Sequence, residues 1–145
     1  MGLRGRSPRL HRSLTVPAVP DYSARDHSVW DVVRVPFPYT NRPVEQRRPA
    51  LVIAVSPAGD GPALLWLLMI TSAANRPWSG DVPILDGARA GLRAASVIRT
   101  AKIATIEASD ALPLGRLVAG ECGGVARALR SALAAALGER PADSP

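Results

Sequence analysis

The chain has 145 residues, 47% of them apolar and only 4% aromatic, with a formal net charge of +6. Such numbers fit one domain with a core of aliphatic side chains, and they exclude general disorder. A single cysteine, Cys122, excludes a disulfide framework and points to a reducing, cytoplasmic setting.

One cysteine and two histidines, His11 and His27, assemble no metal site, so neither metal nor cofactor is expected. The longest apolar stretch, residues 63–70, falls far short of the ~20 residues that span a bilayer. No apolar segment follows the N-terminal charges, as a secretory signal would require. Residues 1–27 hold five arginines and two acids, so half of the net charge sits there. That stretch has no sustained period and reads as a disordered basic arm, ahead of a domain over 28–140 and a short tail over 141–145. Of the 18 basic residues 17 are arginine, a bias that a GC-rich genome explains as well as phosphate recognition does.

The first strand signal is Val29 to Val35, with Val33 and Val35 on one face and Val32 and Arg34 on the other. Residues 36–46 follow as a proline-punctuated loop in which Phe37 and Tyr39 are placed to pack or to stack on a base. Pro49 lacks an amide hydrogen, so it is expected to open the second strand, Ala50 to Val55, with Arg47 and Arg48 at its mouth. A turn over 56–62 leads to a central strand, Leu64 to Ile70, which ends abruptly in Thr71 and Ser72.

Asp81 to Ile84 reads as a short edge strand because of Pro83. Ala95 to Arg99 and Lys102 to Ile106 read as one strand with an irregularity near Thr100, and Leu114 to Val118 as the last. From about Gly123 the period becomes helical, with Val125, Leu129, Leu133 and Leu137 four apart and Gly138 as the stop. The pattern predicts a mainly β fold, a small strongly bent sheet or barrel with a C-terminal helix. The absence of βαβ alternation and of a strand–turn–helix phosphate loop argues against a nucleotide-binding α/β fold.

Four pieces in this order resemble the PemK/MazF family of toxins from type II toxin–antitoxin modules. They are Asp31-Val32-Val33 leading to Val35-Pro36-Phe37-Pro38; Arg47-Arg48-Pro49-Ala50-Leu51-Val52-Ile53; Ile70-Thr71-Ser72; and Ser96-Val97-Ile98-Arg99 followed by Lys102-Ile103-Ala104-Thr105-Ile106. The resemblance implies an SH3-like β-barrel of the PemK/MazF/CcdB type, a homodimer, and a metal-independent endoribonuclease held inactive by a cognate antitoxin. It further implies Arg48 and Thr71 as the catalytic pair on single-stranded RNA. Some members use the arginine that corresponds to Arg99, with an acid two positions on; Ala101 stands there instead, which favours the Arg48–Thr71 version. Trp30 is a second departure, because the family places glycine before the Asp-Val pair.

The chemistry suits these residue types. In RNA the 2′-hydroxyl can attack the adjacent phosphorus and leave a 2′,3′-cyclic phosphate, provided that the attack is aligned and the phosphoryl oxygens are stabilised. A guanidinium at Arg48 presents a fork to phosphate, and Thr71 can donate to one oxygen. Arg47, Arg76 and Arg99 are the candidate RNA contacts, and Trp78 can stack on a base or pack. Proton transfer is the weak point, with Glu45 as one candidate base and a salt bridge as its plainer role. Two rival readings use the same fold: a protein-binding gyrase poison like CcdB, and an inactive barrel that binds nucleic acid or the antitoxin.

Overall fold

The computed structural model describes residues 26–38, 45–56 and 59–139. They form strands β1 (Asp31–Pro38), β2 (Glu45–Ser56), β3 (Leu64–Ser72), β4 (Asp81–Pro83), β5 (Ser96–Glu107) and β6 (Leu112–Arg116), then helix α1 (Ala119–Ala136). All strands belong to one antiparallel sheet in the order β4-β5-β3-β2-β1-β6. The mainly β fold with a terminal helix is as expected. The barrel is not closed by hydrogen bonds: β4 and β6 end the order and are unpaired with each other among the described residues.

Both faces of the sheet are buried, which explains the near-continuous apolar runs in β2 and β3. Val32, Leu51, Leu68, Ile70 and Ile98 form one core with Val125 of α1. Val33, Val35, Ala50, Val52, Leu65, Leu67 and Met69 form the other, with Phe37 packed against it. The helical stripe seats only its first half. Val125 is buried, whereas Leu133 and Leu137 are exposed beyond the body of the sheet.

Several boundaries differ from the sequence expectation. Pro49 lies inside β2, paired with Arg34, and Arg47 and Arg48 are strand residues paired with Pro36 and Val35. The reason is local. The β2–β3 ladder ends at the Ala50–Met69 pair, so the start of β2 is an edge on that side and tolerates a residue without an amide hydrogen. Helix α1 starts at Ala119, four residues early, because Glu121 in its first turn ties it to the preceding loop by accepting from the backbone N–H groups of Leu85 (2.5 Å) and Asp86 (3.3 Å). The irregularity near Thr100 is a bulge: Met69 pairs with Arg99 but Leu68 with Ile103, so Thr100 to Lys102 are extra.

His27, grouped with the arm by sequence, is buried, and its Nε2–H donates to the carbonyl of Ala108 (3.2 Å). Residues 1–25 of the arm, Tyr39 and the tail over 141–145 lie outside the described residues.

Trp30 has φ +77°, the left-handed region where glycine is at ease. Its backbone is clamped on both sides: its N–H donates to Val52 (2.8 Å) and its carbonyl accepts from Leu117 (2.9 Å). The ring is half-buried against the helix-side core, so packing offsets the strained backbone. Trp30→Ala loses the ring and keeps a Cβ at positive φ, whereas Trp30→Gly loses the ring and the strain together. The alanine variant is therefore expected to be the less stable by about 1 kcal/mol in urea unfolding, the reverse of the usual order of alanine and glycine.

Candidate active site

The two halves of the proposed pair meet at one rim of the sheet. Ala50 faces Met69 across the β2–β3 ladder, and two residues beyond each along its own strand stand Arg48 and Thr71. Alternation places both on the face of Val35 and Met69. Arg48 and Thr71 also line a cleft of about 460 Å³ cut into the same rim. Pro49, Ile70, Ser72 and Ser96 complete its sheet side, and Arg34, Asn75 and Arg93 bring further polar groups.

Among the described residues the lining carries three arginines, Arg34, Arg48 and Arg93, and no carboxylate. Asn75 sits in the turn after β3, where its Nδ2–H donates to Thr71 Oγ1 at 2.6 Å. That bond occupies a lone pair of the hydroxyl and leaves its hydrogen to donate elsewhere. A strand-end threonine, a guanidinium and two further cations around an open cleft can bind a phosphodiester and offer hydrogen bonds to its non-bridging oxygens.

Arg99 and Arg76 stand apart from the cleft lining. Arg99 is nearly buried, its Nε 3.6 Å from Asp81 Oδ2, its Nη2 donating to the Arg76 carbonyl at 2.5 Å, and its guanidinium 4.1 Å from the Trp78 ring centroid. Asp81 Oδ2 also accepts from the Trp78 N–H at 2.9 Å. These contacts latch residues 76–81 onto β5, directly after the turn that holds Asn75. The Arg76 side chain is exposed on that latched loop, and Arg47 is exposed on β2. Breaking a largely buried pair leaves the surviving charge uncompensated. Asp81→Ala is accordingly expected to lose about 3 kcal/mol in urea unfolding, and Asp81→Asn, which keeps an acceptor for Trp78, distinctly less.

Three lining residues escape a reading of the sequence. Arg34 looks like a charge on the first strand, and only its pairing with Pro49 carries it to the cleft. Arg93 belongs to a loop whose backbone packs on β6, and Asn75 acquires meaning only from its bond to Thr71. The order Thr71-Ser72-Ala73-Ala74-Asn75, a strand end followed by a turn with an amide at its far side, is the one local signal that pointed there.

Comparison with known proteins gives a consistent picture. A family model described as PemK-like, MazF-like toxin of type II toxin–antitoxin system matches residues 28–133. Among solved structures, the fold is similar to the Mycobacterium tuberculosis toxin MazF-mt6, with TM-score 0.51 and 21% identity over 75% of this chain and 98% of that one. It is also similar to MazF from Deinococcus radiodurans, with TM-score 0.54 and 23% identity over 77% and 96% of the two chains. A third is an endoribonuclease in complex with its cognate antitoxin from a mycobacterial species, with TM-score 0.53 and 18% identity over 79% and 98%. A search of curated proteins found no match. At these identities the solved structures speak for the fold, whereas the family model covers well over half of the sequence. The chain belongs to the PemK-like, MazF-like toxins of type II toxin–antitoxin systems.

Proposed function

We propose that this toxin is an endoribonuclease that cuts single-stranded RNA at short sequences without a metal, acting as a cytoplasmic homodimer until a cognate antitoxin neutralises it. The observation that carries the reading is the rim cleft, which Arg34, Arg48 and Arg93 line together with Thr71 and which no carboxylate lines among the described residues. A cationic cleft of that kind favours a polyanion and disfavours a cationic ligand.

In this mechanism the scissile phosphate lies against Arg48 and Thr71. The guanidinium fork binds the non-bridging oxygens and stabilises the charge that they gain as the 2′-oxygen approaches phosphorus. Thr71, its oxygen already engaged by Asn75, donates its hydrogen to one of those oxygens and limits rotation of the phosphate. Arg34 and Arg93 hold flanking phosphates and keep the strand in register. The 2′-hydroxyl is the nucleophile, and a 2′,3′-cyclic phosphate is the product.

The test is to incubate the purified protein with single-stranded RNA in excess EDTA and to analyse the new ends. Cyclic phosphate paired with 5′-hydroxyl ends supports the reading. Intact RNA together with stalled gyrase overturns it in favour of a protein-binding poison.

A further inference from the structure

The rim that holds Arg48 and Thr71 opens on its other side into the concave face of the sheet, and one group there has no role in the mechanism above. It is Lys102, the sole lysine among 18 basic residues. Lys102 is the last residue of the β5 bulge, after which Ile103 rejoins Leu68. Alternation from Ala104 and Ile106, both packed on the Val33–Met69 core, turns its side chain to the same face as Arg48 and Thr71.

Its ammonium lies 4.5 Å from the centroid of the Phe37 ring. Phe37 belongs to β1, three strands from β5 in the sheet order. In a flat sheet that separation is roughly 14 Å, so the contact exists only because the sheet curls. The curl delivers Lys102 across β3 and β2 to the mouth that Arg48 occupies.

We infer that Lys102 is the base of this ribonuclease, taking the proton from the attacking 2′-hydroxyl while Arg48 holds the phosphate. The inference rests on the ribonuclease reading. Three observations single out this residue. Arginine fills every other basic position, and a guanidinium does not release its proton near neutrality, whereas a lysine amine can be brought to do so. Among the described residues neither a carboxylate nor Lys102 itself lines the cleft. Lys102 comes to Arg48 from the other side of the rim, and Asp81, the acid on the neighbouring strand, is held by Arg99 and the Trp78 N–H. Among the described residues the Phe37 ring from β1 contacts Lys102, and the Arg48 guanidinium from β2 and the Arg99 guanidinium on β5 act on it through their charge. Burial first, and then the two guanidiniums, push the amine below the ordinary lysine range and enlarge its neutral fraction.

The step balances without a co-reactant. The O2′–P bond forms, the P–O5′ bond breaks, and the 2′ proton passes to the lone pair of Nζ. The departing 5′-oxygen takes a proton from water, and the resulting hydroxide recovers the proton from the Lys102 ammonium.

Single-turnover cleavage of single-stranded RNA, followed from about pH 6 to about pH 9, tests the inference in wild type, Lys102→Arg and Lys102→Ala. The wild-type rate rises with pH as the amine loses its proton. Lys102→Arg keeps the charge but has no base, so it is expected to cut about 100-fold more slowly and without that rise. Its affinity for an uncleavable 2′-O-methyl RNA stays within about threefold of wild type, because the phosphate contact is electrostatic. Added ethylamine restores part of the Lys102→Ala rate in proportion to its neutral form. A Lys102→Arg protein with the wild-type rate and pH profile overturns the assignment of Lys102 while leaving the ribonuclease intact. If wild type does not cut RNA, the ribonuclease reading fails and the base falls with it.

Discussion

Replacing Arg48 with alanine is expected to slow single-turnover RNA cleavage about 1,000-fold, the range seen when a preorganised donor to a developing oxyanion is removed. The charge on the non-bridging oxygens grows toward the transition state, so the loss falls mainly on the rate of the bound complex and less on RNA affinity. Arg34 and Arg93 remain in the cleft and continue to attract the strand. Arg48→Lys restores a charge without the fork and is expected to recover only part of the rate. Arg48→Ala leaves both apolar cores intact, and urea unfolding of the variant separates a loss of rate from a loss of fold. Thr71→Val removes one hydrogen bond to phosphate, expected to cost about tenfold to 100-fold. Rates measured for these variants on one RNA, with far-UV circular dichroism as the folding control, check the expectation.

The largest effect on stability is expected at Gly115. This glycine of β6 packs against the backbone of the 86–93 loop, where a Cβ would come within 3.0 Å of Arg89, Ala90 and Gly91 main-chain atoms. Gly91, at φ +74°, meets the Leu114 main chain in the same way, so two glycines allow the two backbones to touch. The Arg116 N–H donates to the Arg89 carbonyl at 2.9 Å and fixes the contact. Backbone cannot rotate out of the way as a side chain can, so Gly115→Ala must push the loop off β6. The expected loss is about 3 kcal/mol or more. The same loop carries Arg93 into the cleft, so RNA affinity should fall as well. Gly124 supplies the contrast. It lies within α1, nothing stands within 4 Å of its Cβ position, and Gly124→Ala is expected to gain about 0.5–1 kcal/mol. Urea unfolding of the two variants side by side measures both signs.

Much of the fold was legible because aliphatic runs of strand length, bounded by proline and glycine, admit few alternatives. The β2–β3 hairpin is the best example. An antiparallel hairpin sets the start of one strand beside the end of the next, and this topology brings Arg48 near Thr71. Pro49 lies inside β2 for a reason outside its own segment. A proline opens a strand when both sides need donors, but the start of β2 has β1 on one side and no ladder on the other.

Both limits on reading the site are tertiary. Whether Arg34 and Arg93 reach the cleft depends on the β1–β2 register and on the Gly91–Gly115 approach, neither of which leaves a periodic trace in sequence. Lys102 was visible as the sole lysine, but its relation to Phe37 depends on the curl of a whole sheet. Arg99 was legible as part of a motif; its engagement by Asp81, Trp78 and the Arg76 carbonyl was not, since those partners lie some 20 residues away.

The measurement that bears most directly on the account is cleavage of an RNA carrying one 2′-deoxynucleotide immediately 5′ to the cut phosphate. The deoxy substitution removes the nucleophile and leaves every phosphate contact in place. The account predicts that cutting at that linkage disappears while binding is unchanged within about threefold. Cutting at an undiminished rate would mean that water or a protein group attacks phosphorus, and would contradict the role given to the Arg48–Thr71 rim.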